Sequence, residues 1–195
     1  MNRRALVAVA VAVVAAAGAW ILFVGLPRWY GPKPAAPTST AAVAAPVPER
    51  RITATLYFVS EDGMSLVGVQ REIPFADPIV EQARRIVEGQ IAAAPPGLAS
   101  PVPGGTALRA VYLSDRGVAF VDLSGSARTN HTGGTLDELF TVYAIVDALT
   151  VNLPAITRVQ ILIEGREVDT LAGHVDLRHP LQKSLKWVRM EKEGT

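Results

Sequence analysis

The feature that most constrains the fold is a long apolar run in the C-terminal half of the chain, residues 136–154. Leu136 and Phe140 recur at helical spacing, and further apolar residues widen this stripe over most of the helix surface. Such a pattern predicts a helix buried deeply against a sheet. Thr135 and Glu138 stand three residues apart in the order of a capping box, which predicts that the helix begins there.

A strand pair is predicted directly after this helix. Val159, Ile161 and Ile163 alternate with other residues at the two-residue period of a strand. Glu164 and Gly165 follow, and this dipeptide suits a tight turn into a second strand. We therefore expect the core helix to be followed by a hairpin.

Upstream, the same alternation predicts four more strands, over residues 52–58, 64–73, 108–113 and 118–123. Asp77 followed by Pro78 predicts the N-cap and first position of another helix. Turn glycines with positive φ are expected at Gly63, Gly117 and Gly165. The order reads ββα ββα ββ. It favours an α+β domain with a mainly antiparallel or mixed sheet and the helices packed on one face.

An uncharged apolar run extends from Ala5 to Leu26. Its length is about the roughly 20 residues that a membrane-spanning helix needs, and Arg3 and Arg4 precede it. These observations predict a transmembrane helix or uncleaved signal anchor that leaves the C-terminal domain outside the cytoplasm, on the periplasmic or cell-wall side. A cleaved signal peptide is the alternative, with small residues at 15–19 and 42–45 as candidate cleavage sites.

The remaining segments complete the predicted organisation. Residues 27–50 are rich in proline and alanine and lack large apolar side chains, which is typical of a linker. At the C-terminus, Leu181, Leu185 and Val188 against Lys183, Lys186 and Arg189 indicate a short amphipathic helix that docks on a partner or on its own sheet. The expected divisions are 1–26, 27–50, a folded domain over 51–180, and a basic tail over 181–195.

Composition excludes several classes of function. The formal net charge is +1 and no stretch concentrates basic residues among aromatic ones, so a nucleic-acid partner is not expected. The chain has no cysteine, which excludes disulfides, thiolate metal sites and a cysteine nucleophile. We expect no cofactor.

Four segments together carry a family resemblance: LYFVSEDG, GVAFVDLS, ELFTVYAIVDALTVNLPAI and VQILIEGREVDTLAGHVDL. They resemble the GerMN domain family over about residues 52–177, and the hairpin segment is the most specific of them. The resemblance implies an exported, membrane-tethered domain with an α/β fold similar to ring-building modules. It implies a role in sporulation, germination or envelope assembly through contacts with envelope proteins or through self-association at sheet edges. Peptidoglycan is a further candidate partner.

A second hypothesis is a metal-dependent or carboxylate-dependent cell-wall hydrolase. His174, Asp176 and His179 form H-x-D-x-x-H, and these are ligand types that hold zinc or iron. Histidines at a strand exit next to a proline are more typical of solvated or capping groups, and the remaining histidine, His131, is far upstream.

Other candidate sites are the carboxylates Asp115, Asp122 and Glu164 for glycan cleavage, the serines of Ser124-Gly125-Ser126 for a hydrolase, and Gly133-Gly134 for an anion at the start of the core helix. Each also has a plain structural interpretation as turn or loop chemistry.

Overall fold

The computed structural model describes residues 2–25 and 50–189 of the chain. The chain divides into two compact units, Met1–Val47 and Pro48–Thr195. The predicted linker over residues 27–50 lies outside the described residues except at Arg50.

The described part of the first unit is a helix, α1, which spans Arg3–Trp20 and continues as a π-helical turn over Ile21–Gly25. Among the described residues, no helix is long and apolar enough to cross a membrane. The predicted transmembrane helix from Ala5 to Leu26 is therefore not supported, and Leu26 itself lies outside the described residues.

The second unit contains the predicted strands and both long helices. In chain order these are β1 (Arg51–Val59), β2 (Leu66–Pro74), α2 (Ile79–Ile91), β3 (Leu108–Leu113), β4 (Val118–Leu123), the short α3 (Ser126–Thr129), α4 (Thr135–Asn152), β5 (Arg158–Ile163), β6 (Arg166–Glu167), β7 (Leu181–Gln182) and β8 (Val188–Arg189). The order ββα ββα ββ is confirmed for the long elements, and the short α3, β7 and β8 are additions to it.

The strands form two sheets, one with the order β1-β2-β8 and one with the order β3-β4-β5-β6, in which β7 also pairs with β5. The hairpins β1–β2 and β3–β4 are antiparallel. β4 and β5 are parallel, because α4 carries the chain back to the same end of the sheet, and β2 and β8 are also parallel. The α+β class with mixed sheets is thus confirmed.

The expectation of a single sheet with helices on one face is wrong. α2 packs against β3 of one sheet and against β1 and β2 of the other, while α4 packs against β1, β5 and β7. The physical reason is the breadth of the apolar stripe on α4, which is buried on more than one side. The fully buried core includes Phe58 of β1, Ile86 of α2, Phe140 and Ile145 of α4, and Ile161 of β5.

The predicted turns are confirmed. Glu164 and Gly165 both have positive φ, 54° and 77°, between β5 and β6, as a type I′ turn requires. Gly117 has φ of 72° between β3 and β4, and a Cβ atom there would lie 2.6 Å from the carbonyl oxygen of Ala155. Glycine is therefore required at this turn for its conformation and for its size.

The start of α2 differs from the prediction by one residue. α2 begins at Ile79 with Pro78 in the cap position, and no side chain caps it. The amide of Gln82 holds the entering chain instead: its Oε1 accepts the N–H of Ala76 at 2.8 Å. The predicted capping by Asp77 is therefore wrong, and Gln82 ties the helix to the chain that precedes its cap residue.

The predicted amphipathic helix in the C-terminal tail is also wrong. Leu185–Trp187 form a single 3₁₀ turn between β7 and β8. Leu181 pairs with Val159 of β5, and Val188 pairs with Leu66 of β2. Backbone pairing to both sheets thus outweighs the local helical pattern, and residues 190–195 lie outside the described part of the chain.

Candidate functional site

The histidine and aspartate of H-x-D-x-x-H lie on an exposed loop after β6. His174, Asp176 and His179 are all exposed. The carboxylate of Asp176 accepts two hydrogen bonds from the guanidinium of Arg178, at 2.9 and 2.7 Å, and these hold the pKa of Asp176 well below its usual range. Within residues 2–25 and 50–189, no three or more histidine, aspartate or glutamate side chains are grouped so that they could hold a metal ion.

The three carboxylates considered for glycan cleavage have different surroundings. Asp115 is exposed in the β3–β4 turn. Asp122 is buried on β4, where its Oδ2 accepts the Nε–H of Arg109 at 3.0 Å and its Oδ1 accepts the N–H of Gly165 at 2.7 Å. Asp122 therefore fixes the turn that begins at Glu164, and both of its oxygens are engaged with groups of the same chain.

The serine and glycine candidates are also parts of the scaffold. The Oγ of Ser124 accepts the N–H of Ala107 at 2.9 Å, which closes the end of the β3–β4 hairpin. Gly134 precedes α4 with φ of 92°, and a Cβ atom there would lie 3.8 Å from an Oδ2 oxygen of Asp137. A carboxylate next to this helix start makes it unfavourable for an anion.

Glu138 has the most important polar contacts of α4, and its role differs from the predicted capping box. The cap position of α4 is Gly134, and no side chain caps it. The Glu138 side chain is buried, and its two oxygens accept the N–H groups of Leu171 and His174, each at 2.7 Å. Burial alone would raise the pKa of Glu138, but backbone N–H groups of residues 171, 172, 174 and 175 together lower it. Glu138 thus holds the loop that carries His174.

A groove of about 550 Å³ lies between the end of α2, residues 99–106, residues 130–132 and the first turns of α4. At its wall, the N–H of Gly133 donates to Nδ1 of His131 at 3.0 Å, and Nε2 of His131 lies 3.2 Å from Oγ1 of Thr141. The Thr141 hydroxyl donates to the carbonyl of Pro101 at 2.5 Å. This chain of contacts, in which Nδ1 of His131 accepts the N–H of Gly133, links the groove walls.

The outer edge of β1 is closed by side-chain amides, a feature that sequence reasoning missed. Asn152 at the end of α4 accepts the N–H of Thr55 and donates to its carbonyl, both at 2.8 Å. Gln90 of α2 does the same for Tyr57, at 2.8 and 2.6 Å. The backbone of Ala99 pairs with Val59 in the same way. Three successive outward positions of β1 are thus satisfied as if a further strand were present.

The outer edge of β2 is different. β8 pairs only with Leu66 and Val67. Beyond them, Gly68, Gln70 and Glu72 are exposed. In the parallel register that pairs Val67 with Arg189, the N–H of Gly68 donates to the carbonyl of Arg189. Within the described residues, the carbonyl of Gly68 and the backbone groups of Gln70 and Glu72 have no partner on the side away from β1. Residues 68–72 of β2 are called the open edge below.

Comparisons with known proteins agree with this fold. A comparison with curated protein sequences found no match. The first GerMN domain of the sporulation protein GerM from Bacillus subtilis aligns at 20% identity and a TM-score of 0.52, over 69% of this chain and 98% of that chain. The tandem GerMN domains of the same protein align at 20% identity and a TM-score of 0.51, over 70% of this chain and 46% of that chain. At this identity the alignments show a shared fold.

A further aligned structure is that of a candidate lipoprotein from Clostridium perfringens, at 26% identity and a TM-score of 0.49, over 68% of this chain and 88% of that chain. A family model, Germane, described as "Sporulation and spore germination", matches residues 55–169. The match covers more than half of the sequence, so the resemblance to GerMN domains is confirmed and this chain belongs to the Germane family.

Proposed function

We propose that this chain is a non-enzymatic interaction domain that acts outside the cytoplasm, in an envelope process related to sporulation or germination. Membership of the Germane family supports the biological setting. The mode of action is contact with other envelope proteins.

The observation that carries the proposal is the use of two of the buried acidic side chains, Glu138 and Asp122. Both oxygens of Glu138 and both oxygens of Asp122 accept hydrogen bonds from groups of the same chain. A general acid or base needs a position from which it can reach a substrate proton. Here these carboxylates rigidify two neighbouring loops, which is what a surface for protein contacts needs.

Placement outside the cytoplasm is supported by the apolar run that follows Arg3 and Arg4. Such a run is read as an export signal whether or not it remains in the mature protein. The proposed location is membrane-associated and extracytoplasmic. Alkaline phosphatase fused after Thr195 should be active in intact cells, and activity restricted to a cytoplasmic reporter at the same position would contradict the location.

The interaction role is tested by chemical crosslinking of the full chain in intact cells, followed by affinity purification. We expect envelope proteins to be recovered with the wild-type chain and with a His174→Ala/His179→Ala variant, because both imidazoles are exposed and make no side-chain hydrogen bond in the described structure. A peptidoglycan digestion assay with the purified chain should show no cleavage. Cleavage that disappears in the double variant would overturn the proposal.

A further inference from the structure

We propose that the open edge of β2, residues 68–72, binds an extended segment of a partner protein as an added strand, with an acidic side chain of that segment placed against Arg71. The inference rests on the proposed interaction role and names the surface and the kind of partner.

The pairing of β1 with β2 determines which backbone groups are available. Ser60 donates to the carbonyl of Ser65 at one end of the hairpin, and Phe75 donates to the carbonyl of Arg50 at the other. Because hydrogen-bonded and non-hydrogen-bonded pairs alternate along an antiparallel ladder, Val69 and Arg71 turn their backbone groups towards β1. Gly68, Gln70 and Glu72 therefore turn theirs away from β1. The N–H of Gly68 meets the carbonyl of Arg189 on β8, while the carbonyl of Gly68 and the groups of Gln70 and Glu72 face solvent.

The same edge already accepts a strand. β8 pairs in parallel with Leu66 and Val67, directly next to the open edge. An ion pair between Arg189 of β8 and Asp62 of the β1–β2 turn holds β8 in place. Since the outer edge of β1 is closed by Asn152, Gln90 and Ala99, strand addition to this sheet is possible at β2.

The charges next to the open edge define the partner. The guanidinium of half-buried Arg71 donates to the carbonyl of Ala93 at 3.0 Å and lies 4.8 Å above the ring of Phe58. No carboxylate of the described residues pairs with it, and Glu72 on the opposite face has no basic partner there. A complementary strand carries an acidic residue on the Arg71 face and a basic residue on the Glu72 face, because neighbouring side chains alternate between faces.

A second copy of this chain fits less well. A two-fold antiparallel pair centred on Gln70 would place Ile73 of one copy beside Val67 of the other, where β8 already lies. A pair centred on Arg71 would place two arginines directly opposite each other. A pair centred on Glu72 would oppose two glutamates, so each two-fold register has a steric or electrostatic conflict.

The probe for this site is a short, terminally blocked peptide of alternating valine and threonine with one glutamate and one lysine side by side at its centre. At millimolar peptide, amide hydrogen exchange of the full chain should slow about tenfold or more at Gln70 and Glu72. A peptide with N-methylated backbone amides should give no protection, because it cannot donate to the edge carbonyls.

Two proline variants provide a matched pair. Gln70→Pro removes an amide that faces solvent, so the thermal midpoint should change by only a few degrees while protection by the probe at Glu72 is lost. Val69→Pro removes an amide that faces β1 and should lower the midpoint clearly, which checks the assignment of the two faces. Arg71→Gln should weaken binding of the glutamate probe and leave binding of a glutamine probe unchanged.

The inference is wrong if the probe does not slow amide exchange at the open edge. It is also wrong if the probe still binds the Gln70→Pro variant. A third contradicting result is exchange at the open edge that slows without probe as the protein concentration rises, because a second copy would then be the occupant. Protection only after removal of residues 190–195 would also overturn it, because the chain itself would then be the occupant. The crosslinking experiment tests the proposed interaction role independently of the open edge. Envelope proteins recovered without probe binding would reject the open edge alone, and probe binding with no protein recovered would reject the interaction role.

Discussion

Asp147 is a buried carboxylate on α4 with one unpaired oxygen. Its Oδ1 accepts the N–H of Ser184 at 2.8 Å, and its Oδ2 has no hydrogen-bond partner among residues 2–25 and 50–189. Burial raises the pKa of Asp147 from 3.8 to about 6, while the Ser184 N–H and the charge of Lys183 oppose the shift. Its charge in turn adds to burial in raising the pKa of Tyr57 to about 12.

The pH dependence follows from the sign of this shift. Between about pH 4 and pH 6 the folded chain holds a proton on Asp147 that the unfolded chain has lost, so this group makes the free energy of unfolding fall as pH rises. The loss is on the order of 2–3 kcal/mol and is complete above about pH 6.

Asp147→Asn should therefore increase the free energy of unfolding at pH 7 by about 1 kcal/mol. The variant keeps an oxygen for Ser184 and removes the buried charge, at the cost of an unpaired amide donor. Urea unfolding of both proteins from pH 4 to pH 7 is the measurement. The gain should vanish near about pH 5 and become a small loss near about pH 4. An equal gain at every pH would contradict the assigned titration.

Glu138→Gln should lower the free energy of unfolding by about 2–4 kcal/mol. The new amide NH2 group must face one of two buried N–H donors, from Leu171 or His174, and leave it unsatisfied. Amide exchange at residues 171–175 should accelerate in the same variant. Asp137→Asn is the control, because Asp137 is the exposed neighbour on the same turn and its change should stay within about 0.5 kcal/mol. Equal effects at the two positions would contradict the role of Glu138.

At the scale of elements, the two helices act as covers for the edge of β1. Asn152→Ala removes an acceptor and a donor from Thr55 and should lower the free energy of unfolding by about 1–3 kcal/mol. The amide of Thr55 should exchange faster, while that of Tyr57, held by Gln90, should stay protected.

The matched control is Asn130→Ala, which removes two exposed hydrogen bonds, one to the carbonyl of Gly104 and one from the hydroxyl of Thr129. It should have little effect on stability. Light scattering on concentrated protein adds a second readout, because an uncovered edge promotes association. An Asn152→Ala variant with unchanged Thr55 exchange would show that the amide does not protect the edge.

The sequence predicts the elements that rest on local patterns. Strand alternation around Ile161, the turn at Gly165 and the buried stripe through Phe140 depend on residues a few positions apart, and these predictions are confirmed. The split into two sheets is not local, because β8 pairs with Leu66 across most of the domain. Glu138 has the sequence pattern of a cap, yet a loop more than thirty residues away captures its carboxylate.

The side-chain amides that close the edge of β1 could not be predicted from the sequence either. Gln90 lies on the buried face of α2, and in the sequence Asn152 indicates only where α4 ends. Their partners, Tyr57 and Thr55, become visible only when the helices are placed against the strand. The same limit applies to the open edge, since it is defined by where β8 stops pairing.

At the scale of the second unit, residues 181–189 connect the two sheets. β7 pairs with β5, Asp147 holds Ser184, and β8 pairs with β2. The half-buried Trp187 packs against the core between these contacts. The segment should therefore unfold together with the body of the unit.

Ser184→Pro tests this coupling. Proline removes the N–H that Asp147 accepts, so both oxygens of a buried carboxylate lose their partners and the segment is released more easily. With Trp20 and Trp29 replaced by phenylalanine, Trp187 is the only indole of the chain. Its fluorescence and the far-UV circular dichroism should give coincident urea midpoints when Ser184 is present, and the fluorescence midpoint should fall below the dichroism midpoint in Ser184→Pro. Ser184→Ala is the control: it keeps the N–H and should behave as the parent, because the Ser184 hydroxyl makes no hydrogen bond among the described residues. Separate midpoints for fluorescence and dichroism in the parent itself would show that the segment unfolds as an independent unit.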